Sequence, residues 1–363
     1  MSGKSFPSSL IISLFKLILA VPENKSTELG ELKKILVIRQ HNQFGDMLAG
    51  VSLFRALKEK YPESQVTLIA SPDNYYGVTK NKFIDRLIVF DKRKIFNPEY
   101  FSTFSKILRE GFDAVIVPVT VSVSFTSNLI ARLSNSKIRI GPKSLDGVIN
   151  ESSFVYDRRV DIDWRKYPDS NVAEHILEVV KPFGISTDDF SSEISLDETD
   201  ITFAKDFLSE INYDKKSYLI GLHIGAGKPQ NRWSLQKYIE LIEKLNSNYN
   251  CVFYLTGSDS DKNELDFVTS NTKVQLHKFL NKEIPQVAAL ISLLYLFITN
   301  DTGIMHVAGT TGTPQISLFG STNPFNWAPC GTNKLFIRKS DLIDDIEVDD
   351  VYNLCKKLLG SKL

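Results

Sequence analysis

Cysteine is scarce in this 363-residue chain: Cys251, Cys330 and Cys355 stand at wide spacings with no CxxC pair and no companion histidine. That excludes a disulfide framework and a thiolate zinc site, and it fits a reducing compartment. Excess charge of either sign is lacking too, since Lys+Arg and Asp+Glu are equal at 43 each. A chain without a net field has no global pull on nucleic acid, so nucleic acid is not expected as a partner, and any anion site must be built locally. A long apolar run is also missing. The nearest is "SSLIISLFKLILAV" over 8–21, which Lys16 interrupts and which falls short of the roughly 20 apolar residues that cross a bilayer as a helix. On a helical wheel Ser9, Ser13, Lys16 and Ala20 share one narrow stripe and the rest is apolar. Three readings stay open: peripheral membrane contact through 8–21, a helix packed on protein or on a second subunit, and a cleaved signal.

What is present is a globular profile, 42% hydrophobic and 24% charged, long enough for two domains with separate cores. From Lys34 short apolar runs alternate with helical spacing. "KILVIR" (34–39), "QVTLIA" (65–70), "DRLIVF" (85–90), "DAVIVP" (113–118) and "KIRIG" (137–141) read as strands, with helices over 45–62 and 98–111. The pattern loosens between about 145 and 216, where only 170–184 reads as a helix, and then restarts. Strands are expected at 217–225, 251–257, 273–277, 294–300 and 314–320, with helices at 234–247, 260–270, 283–292 and 303–311. Apolar strands joined by helical crossovers make doubly wound parallel sheets, so the fold class is α/β with two Rossmann-like halves. The expected divisions are an N-terminal segment 1–30, a first domain 31–190, a linker 191–216, a second domain 217–342 and a C-terminal helix in 343–363 that crosses back onto the first domain.

Three blocks concentrate polar residues at strand ends. In "IRQHNQFGDML" (38–48) a strand ends at Arg39, a polar loop carries Gln43, and Gly45-Asp46 opens a helix. A carboxylate there can take a proton from a hydroxyl; the competing reading is a first-turn acid that only stabilises its helix. In "LHIGAGKPQNRWSLQKY" (222–238) a strand runs into Gly225, Gly227, Lys228 and Arg232 before Ser234 caps a helix. Bare glycine amides flanked by two cations can cradle a phosphate, yet this is neither a Walker loop nor GxGxxG; the alternative is a solvated loop. In "TNDTGIMHVAGTTGTPQISLFGSTNP" (299–324) Asp301, Thr302 and Gly303 end a strand and open a helix that carries His306, and Gly320 ends the next strand. Free amides at such a helix start favour an anion. Trp327 reads as packing. "SDSDKNE" (258–264) holds an Asp-x-Asp, but it follows the Gly257 turn and reads as a helix cap, so no metal site is expected.

These blocks, in this order, resemble glycosyltransferase family 9, the ADP-heptose:lipopolysaccharide heptosyltransferases and their relatives. The carrying residues are "KILVIR…GDML…RALKEKYP", "GLHIGAGKPQNRWS" with "YLTGS", and above all Asp-Thr-Gly-x-Met-His-x-Ala from Asp301, followed by Gly-Thr-Pro and Leu-Phe-Gly. The resemblance implies a GT-B fold, two Rossmann-like domains facing across a cleft, with the acceptor on the first and a nucleoside-diphosphate sugar on the second. It implies Asp46 as the base of an inverting, metal-independent transfer, with Arg39, Gln43 and Gly45 on the acceptor side. Gly225, Lys228, Arg232, Gly257, Asp301, Thr302, Gly303, His306 and Gly320 fall on the donor side. It implies no cofactor beyond the co-substrate, ADP-heptose being the first candidate. The acceptor is a lipopolysaccharide-core or lipid-linked glycan, and the location is the cytoplasm, peripheral to the inner face of the cytoplasmic membrane. Two departures bear on the site: the loop from Arg39 to Gly45 is one residue longer than the common form, and Asn231 stands where many members have a lysine, which passes that role to Lys228 or Arg232. Two other classes compete, a silent GT-B-like scaffold or glycan-binding protein and a Rossmann-type oxidoreductase; the missing GxGxxG argues against the last.

Overall fold

The computed structural model describes residues 16–41 and 43–360, in two compact units, Met1–Phe190 and Ser191–Leu363. Residues 8–15 of the apolar N-terminal stretch lie outside the described part. Of the remainder, 16–19 form a helical turn with Leu17 and Ile18 exposed. Leu19 packs on the first unit's core, and its carbonyl accepts from Arg132 Nε at 2.7 Å.

In the first unit β1 (Lys34–Arg39) is followed by the helices α1 (Phe44–Ala49) and α2 (Val51–Lys60), then β2 (Gln65–Ala70), β3 (Arg86–Val89), α3 (Pro98–Leu108), β4 (Phe112–Ile116), α4 (Phe125–Leu133), β5 (Ser136–Leu145), β6 (Val148–Ile149), β7 (Arg158–Ile162) and the short α5 (Val172–His175). The sheet order is β3-β2-β1-β4-β5-β6, with β7 also paired to β5. All pairings are parallel except β5 with β6. Ile35, Leu36, Val37 and Ile38 are all fully buried, as a strand covered by helices on both faces requires. One helix expected over 45–62 is two, broken at Gly50. A Cβ there would stand 2.5 Å from Ile176 Cδ1 and 2.7 Å from Arg39 Nη1, so only glycine lets Arg39 pass. The expected helix at 170–184 is the single turn α5 followed by 3-10 turns at Ile176–Val179 and Lys181–Phe183, ended by Gly184 at φ 65°.

The second unit opens with α6 (Glu198–Glu210), inside the stretch read as a linker. It then runs β8 (Tyr218–His223), α7 (Leu235–Asn248), β9 (Cys251–Gly257), α8 (Lys262–Asn271), β10 (Leu276–Leu280), α9 (Ile284–Ile291), β11 (Leu296–Asn300), α10 (Gly303–Gly309), β12 (Gln315–Leu318), α11 (Pro324–Trp327), β13 (Lys334–Ile337) and α12 (Val348–Gly360). Its all-parallel order β10-β9-β8-β11-β12-β13 repeats that of the first unit, except that the sixth strand there, β6, runs antiparallel. α6 is no linker, because Asp197 and Asp200 form a reciprocal capping box that starts it and Phe207 stacks edge-on against Phe279 of β10. The C-terminal helix α12, expected on the first domain, belongs to the second unit. Val351, Cys355, Leu358 and Leu359 bury in the second core with Ile242 and Leu245 of α7, and each such side chain contributes about 1.5–3 kcal/mol.

One polar group secures the segment that follows α10. Lys334 of β13 is buried, and its Nζ donates to the carbonyls of Ala308 at 2.8 Å, Thr311 at 2.8 Å and Thr313 at 2.7 Å. Ala308 lies in the last turn of α10, where its carbonyl also accepts from Thr311 N at 3.2 Å and Thr311 Oγ1 at 2.9 Å, and Thr311 and Thr313 lie in the segment beyond it. Lys334→Met keeps the stem and removes the donor that the three carbonyls share. The variant should lose about 2–4 kcal/mol in urea unfolding, while a surface control such as Lys339→Met stays within about 0.5 kcal/mol.

Candidate active site

In a 3-2-1-4-5-6 sheet the order reverses between the first and fourth strands, and the loops leaving those two strands diverge to open a crevice. Here those pairs are β1 with β4 and β8 with β11. Both crevices are bridged by polar side chains.

In the first unit Asp46, 5% exposed, sits in the first turn of α1. Its Oδ2 lies 3.1 Å from Arg39 Nη2 at the end of β1, 3.5 Å from His41 Nδ1, and accepts a hydrogen bond from Thr120 Oγ1 at 2.9 Å from the loop after β4. Oδ1 has no partner among the described residues, nor has Arg39 Nη1. The carboxylate therefore does not serve as a helix cap; one oxygen is saturated and the other keeps its lone pairs. Arg39, expected on the acceptor side, is 2% exposed and spends its guanidinium on Asp46 and on the Asp46 carbonyl at 3.2 Å. Its place is behind the carboxylate. Arg39 Nε donates to His41 Nε2 at 3.0 Å, and Gln43 N–H donates to His41 Nδ1 at 3.3 Å, so the ring is gripped on both nitrogens.

The loop itself is clamped. Fully buried Asn74 donates to the carbonyls of Arg39 and His41, Ser71 Oγ donates to His41 O at 2.6 Å, and Ser124 Oγ donates to Gln40 O at 3.2 Å. Arg39, His41, Gln43, Asp46 and Thr120 line a cavity of about 810 Å³ whose outer wall includes Asp91, Lys92 and Arg93. Gly45 is the second residue of α1 and directly precedes Asp46.

In the second unit Asn300, at the end of β11, donates from Nδ2 to Ile224 O and Gly225 O, both at 3.0 Å, and ties the loop after β8 to β11. Asn231 donates to Asp301 Oδ2 at 2.9 Å and to Asp301 O at 3.3 Å. Asp301 is held above the ordinary carboxylate range by burial, against a hydrogen bond from Thr322 and the charge of Lys228. The asparagine in place of the expected lysine is thus a neutral partner for Asp301. Of the two cations offered in its stead, Arg232 is committed: it pairs with Glu264 and donates to Ala226 O at 3.2 Å. Lys228 is exposed and has no ion pair among the described residues.

Thr302 precedes α10 with its buried Oγ1 unpartnered among the described residues, Gly303 opens that helix, and His306 is buried within it, 6.5 Å from the Trp327 ring. Trp327 packs on Met305 and Phe319, as expected of a core residue. The glycines divide. A Cβ on Gly225 would strike Asp261 Oδ1 at 2.1 Å, and one on Gly257 would stand 3.2 Å from Asp261 Oδ2, so both make room for that acid at the crevice. Gly320 instead abuts the backbone at Asp341 and Ile343, a packing role. Ser258 and Asp261 form the expected capping box, whereas Ser234, expected to cap α7, makes no side-chain cap; its N–H donates to Asp344 at 2.8 Å.

Two doubly wound sheets with polar groups gathered at both switch points make this a protein of the GT-B class. Residues 101–351 match the profile of glycosyltransferase family 9 (heptosyltransferase), and the chain belongs to that family of glycosyltransferases. It is 24% identical over 304 residues to the lipopolysaccharide core heptosyltransferase OpsX of Haemophilus influenzae, covering 82% of each chain. To lipopolysaccharide heptosyltransferase 3 of Escherichia coli it is 24% identical over 313 residues, 80% of this chain and 85% of that one. The fold is that of the glycosyl transferase family 9 structure from Veillonella parvula, with a TM-score of 0.78 at 21% identity over 93% of this chain and 100% of that one. It is also that of E. coli ADP-heptose LPS heptosyltransferase II, with a TM-score of 0.74 at 19% identity over 91% and 99%.

His41 and Thr120 escaped the reading of the sequence. The strand order is the signal that finds Thr120, because the loop after the fourth strand must face the loop after the first. His41 gives a measurable consequence. Burial and the Arg39 charge push its imidazole down to about 4, against the pull of Asp46, while an unfolded histidine titrates near 6.5. Between those values the unfolded chain binds the extra proton, so stability falls as pH drops through that window. The loss assignable to His41 is at most about 3 kcal/mol. Urea unfolding at about pH 7 and about pH 4.5 should show wild type losing more stability than His41→Asn, and equal losses would refute the assignment.

Proposed function

We propose that this glycosyltransferase moves a heptose or related sugar from a nucleoside-diphosphate sugar, ADP-heptose first among them, to a hydroxyl of a lipopolysaccharide-core or other cell-surface glycan. The observation that carries the reading is Asp46: a buried carboxylate with one oxygen saturated by Arg39, His41 and Thr120, the other unpartnered among the described residues, lining a cavity in the first unit. The named relatives, lipopolysaccharide heptosyltransferases, supply the substrate class.

In the reaction the acceptor hydroxyl gives its proton to Asp46 as its oxygen attacks the anomeric carbon. The bond from that carbon to the diphosphate breaks, and the nucleoside diphosphate leaves with the electron pair. One displacement inverts the anomeric centre. Charge appears on the departing diphosphate, where Lys228 and the amides that follow Asp301 stabilise it, and no step needs a metal ion. Asp301, fixed by Asn231 and Thr322, accepts from sugar hydroxyls, and Thr302 and His306 complete that side of the donor. Gln43 and Gly45 border the acceptor. The protein works at the inner face of the cytoplasmic membrane, touching it peripherally through 8–21. The exposure of Leu17 and Ile18 supports this, and no helix among the described residues is long and apolar enough to cross a membrane.

The test is transfer by the purified full chain, with ADP-heptose and other nucleotide sugars as donors and lipopolysaccharide core as acceptor. Nucleoside diphosphate should appear only with acceptor present, and the product should carry the inverted anomeric configuration by NMR. Lys228→Ala should raise the donor KM about tenfold or more, the cost of a lost charge-assisted contact, and leave acceptor KM unchanged. Retained configuration, or a donor KM indifferent to Lys228, would overturn the reading.

A further inference from the structure

Phe96 is 94% exposed, the most exposed large apolar side chain among the described residues. It precedes Asn97, the N-cap of α3, whose side chain accepts from Tyr100 N at 3.0 Å. An apolar residue just before a cap ordinarily packs on the fourth helical residue as a staple. That residue is Phe101, itself 52% exposed, and a ring 94% in water is not packed on it. Two aromatic rings thus stand uncovered at one helix start.

Cations lead into them. Lys92, Arg93 and Lys94 come directly before Ile95 and Phe96; Arg93 is paired with Asp91 at 2.8 Å, while Lys92 and Lys94 have no ion pair among the described residues. Over 91–101 the acids are Asp91 and Glu99, so the segment carries a net +1. It also runs straight from the cavity wall formed by Asp91, Lys92 and Arg93.

We propose that 92–101 is a bilayer-docking element, with Phe96 and Phe101 entering the headgroup layer of an anionic membrane and Lys92 and Lys94 against lipid phosphate. The rings decide the occupant. A soluble sugar phosphate would engage the lysines and leave Phe96 in water, whereas a lipid surface takes up both the charge and the apolar area. The proposal goes beyond the assigned reaction and uses a segment distinct from 8–21.

Co-sedimentation of the full chain with vesicles tests it, phosphatidylglycerol-containing against pure phosphatidylcholine. Wild type should pellet with the anionic vesicles. Phe96→Ser should lower partitioning about tenfold and Lys94→Ser about fivefold, the latter effect vanishing at high salt. Phe96→Ser should keep the wild-type melting temperature and wild-type transfer to a deacylated, water-soluble acceptor. Three results would overturn the proposal: no pelleting of wild type, undiminished pelleting of Phe96→Ser, or a loss of transfer to the soluble acceptor that matches the loss of pelleting. Phe96-dependent pelleting by a chain without transferase activity would leave the docking element standing and remove the proposed reaction instead.

Discussion

A buried ion pair governs the first unit. Arg39 and Asp46 are both nearly sealed from solvent, and taking two charges out of water costs several kcal/mol per ion before their attraction repays it. Repayment demands good geometry, and the neighbouring sequence supplies it. Gly50 gives the guanidinium room, Asn74 and Ser71 fix the loop carbonyls, and Thr120 and His41 add polar partners on the same oxygen. What remains is a carboxylate with one oxygen held by three side chains and the other buried and unpartnered among the described residues.

The second unit repeats the strand order and bridges the same topological position with different chemistry. Amides take the place of the charged pair: Asn300 ties the two loops together and Asn231 holds Asp301. The difference follows from the task each crevice has in the proposed transfer. The proposed base stands against a fixed cation, Arg39, so that cation is consumed. A receptor for a diphosphate needs its cation unspent, and Lys228 is unspent while Arg232 is locked to Glu264. The asparagine that departs from the family pattern thus lets Asp301 be held without using up positive charge. Lys334 contributes at a distance by anchoring the segment after α10, the helix that carries His306.

Long strands buried on both faces were legible in the sequence because periodicity alone marks them, and so were the strand-end acids and glycines. The elements that were missed had weaker signals. β7 and β13 are short, and charged residues interrupt the first; α6 lies among charged and turn residues, though the Asp197–Asp200 box marks its start. The break at Gly50 was invisible because its cause is a side chain from another element. At the site, residue type located Asp46 and Asp301 but not what each is paired with. Arg232 and Gly320 looked like ligand contacts for the same reason: Glu264 lies 32 positions away from the first, and the backbone near Ile343 packs on the second. Partners that distant appear only once the chain is folded.

The central claim is that Asp46 receives the acceptor's proton and does no work in holding the donor. Single-turnover transfer by Asp46→Asn tests it most directly, since the amide keeps the shape and loses the lone-pair basicity. The account predicts a rate about 10²–10⁴ below wild type, with nucleotide-sugar affinity within about twofold. Transfer at the wild-type rate, or an equal loss of donor affinity, would contradict it.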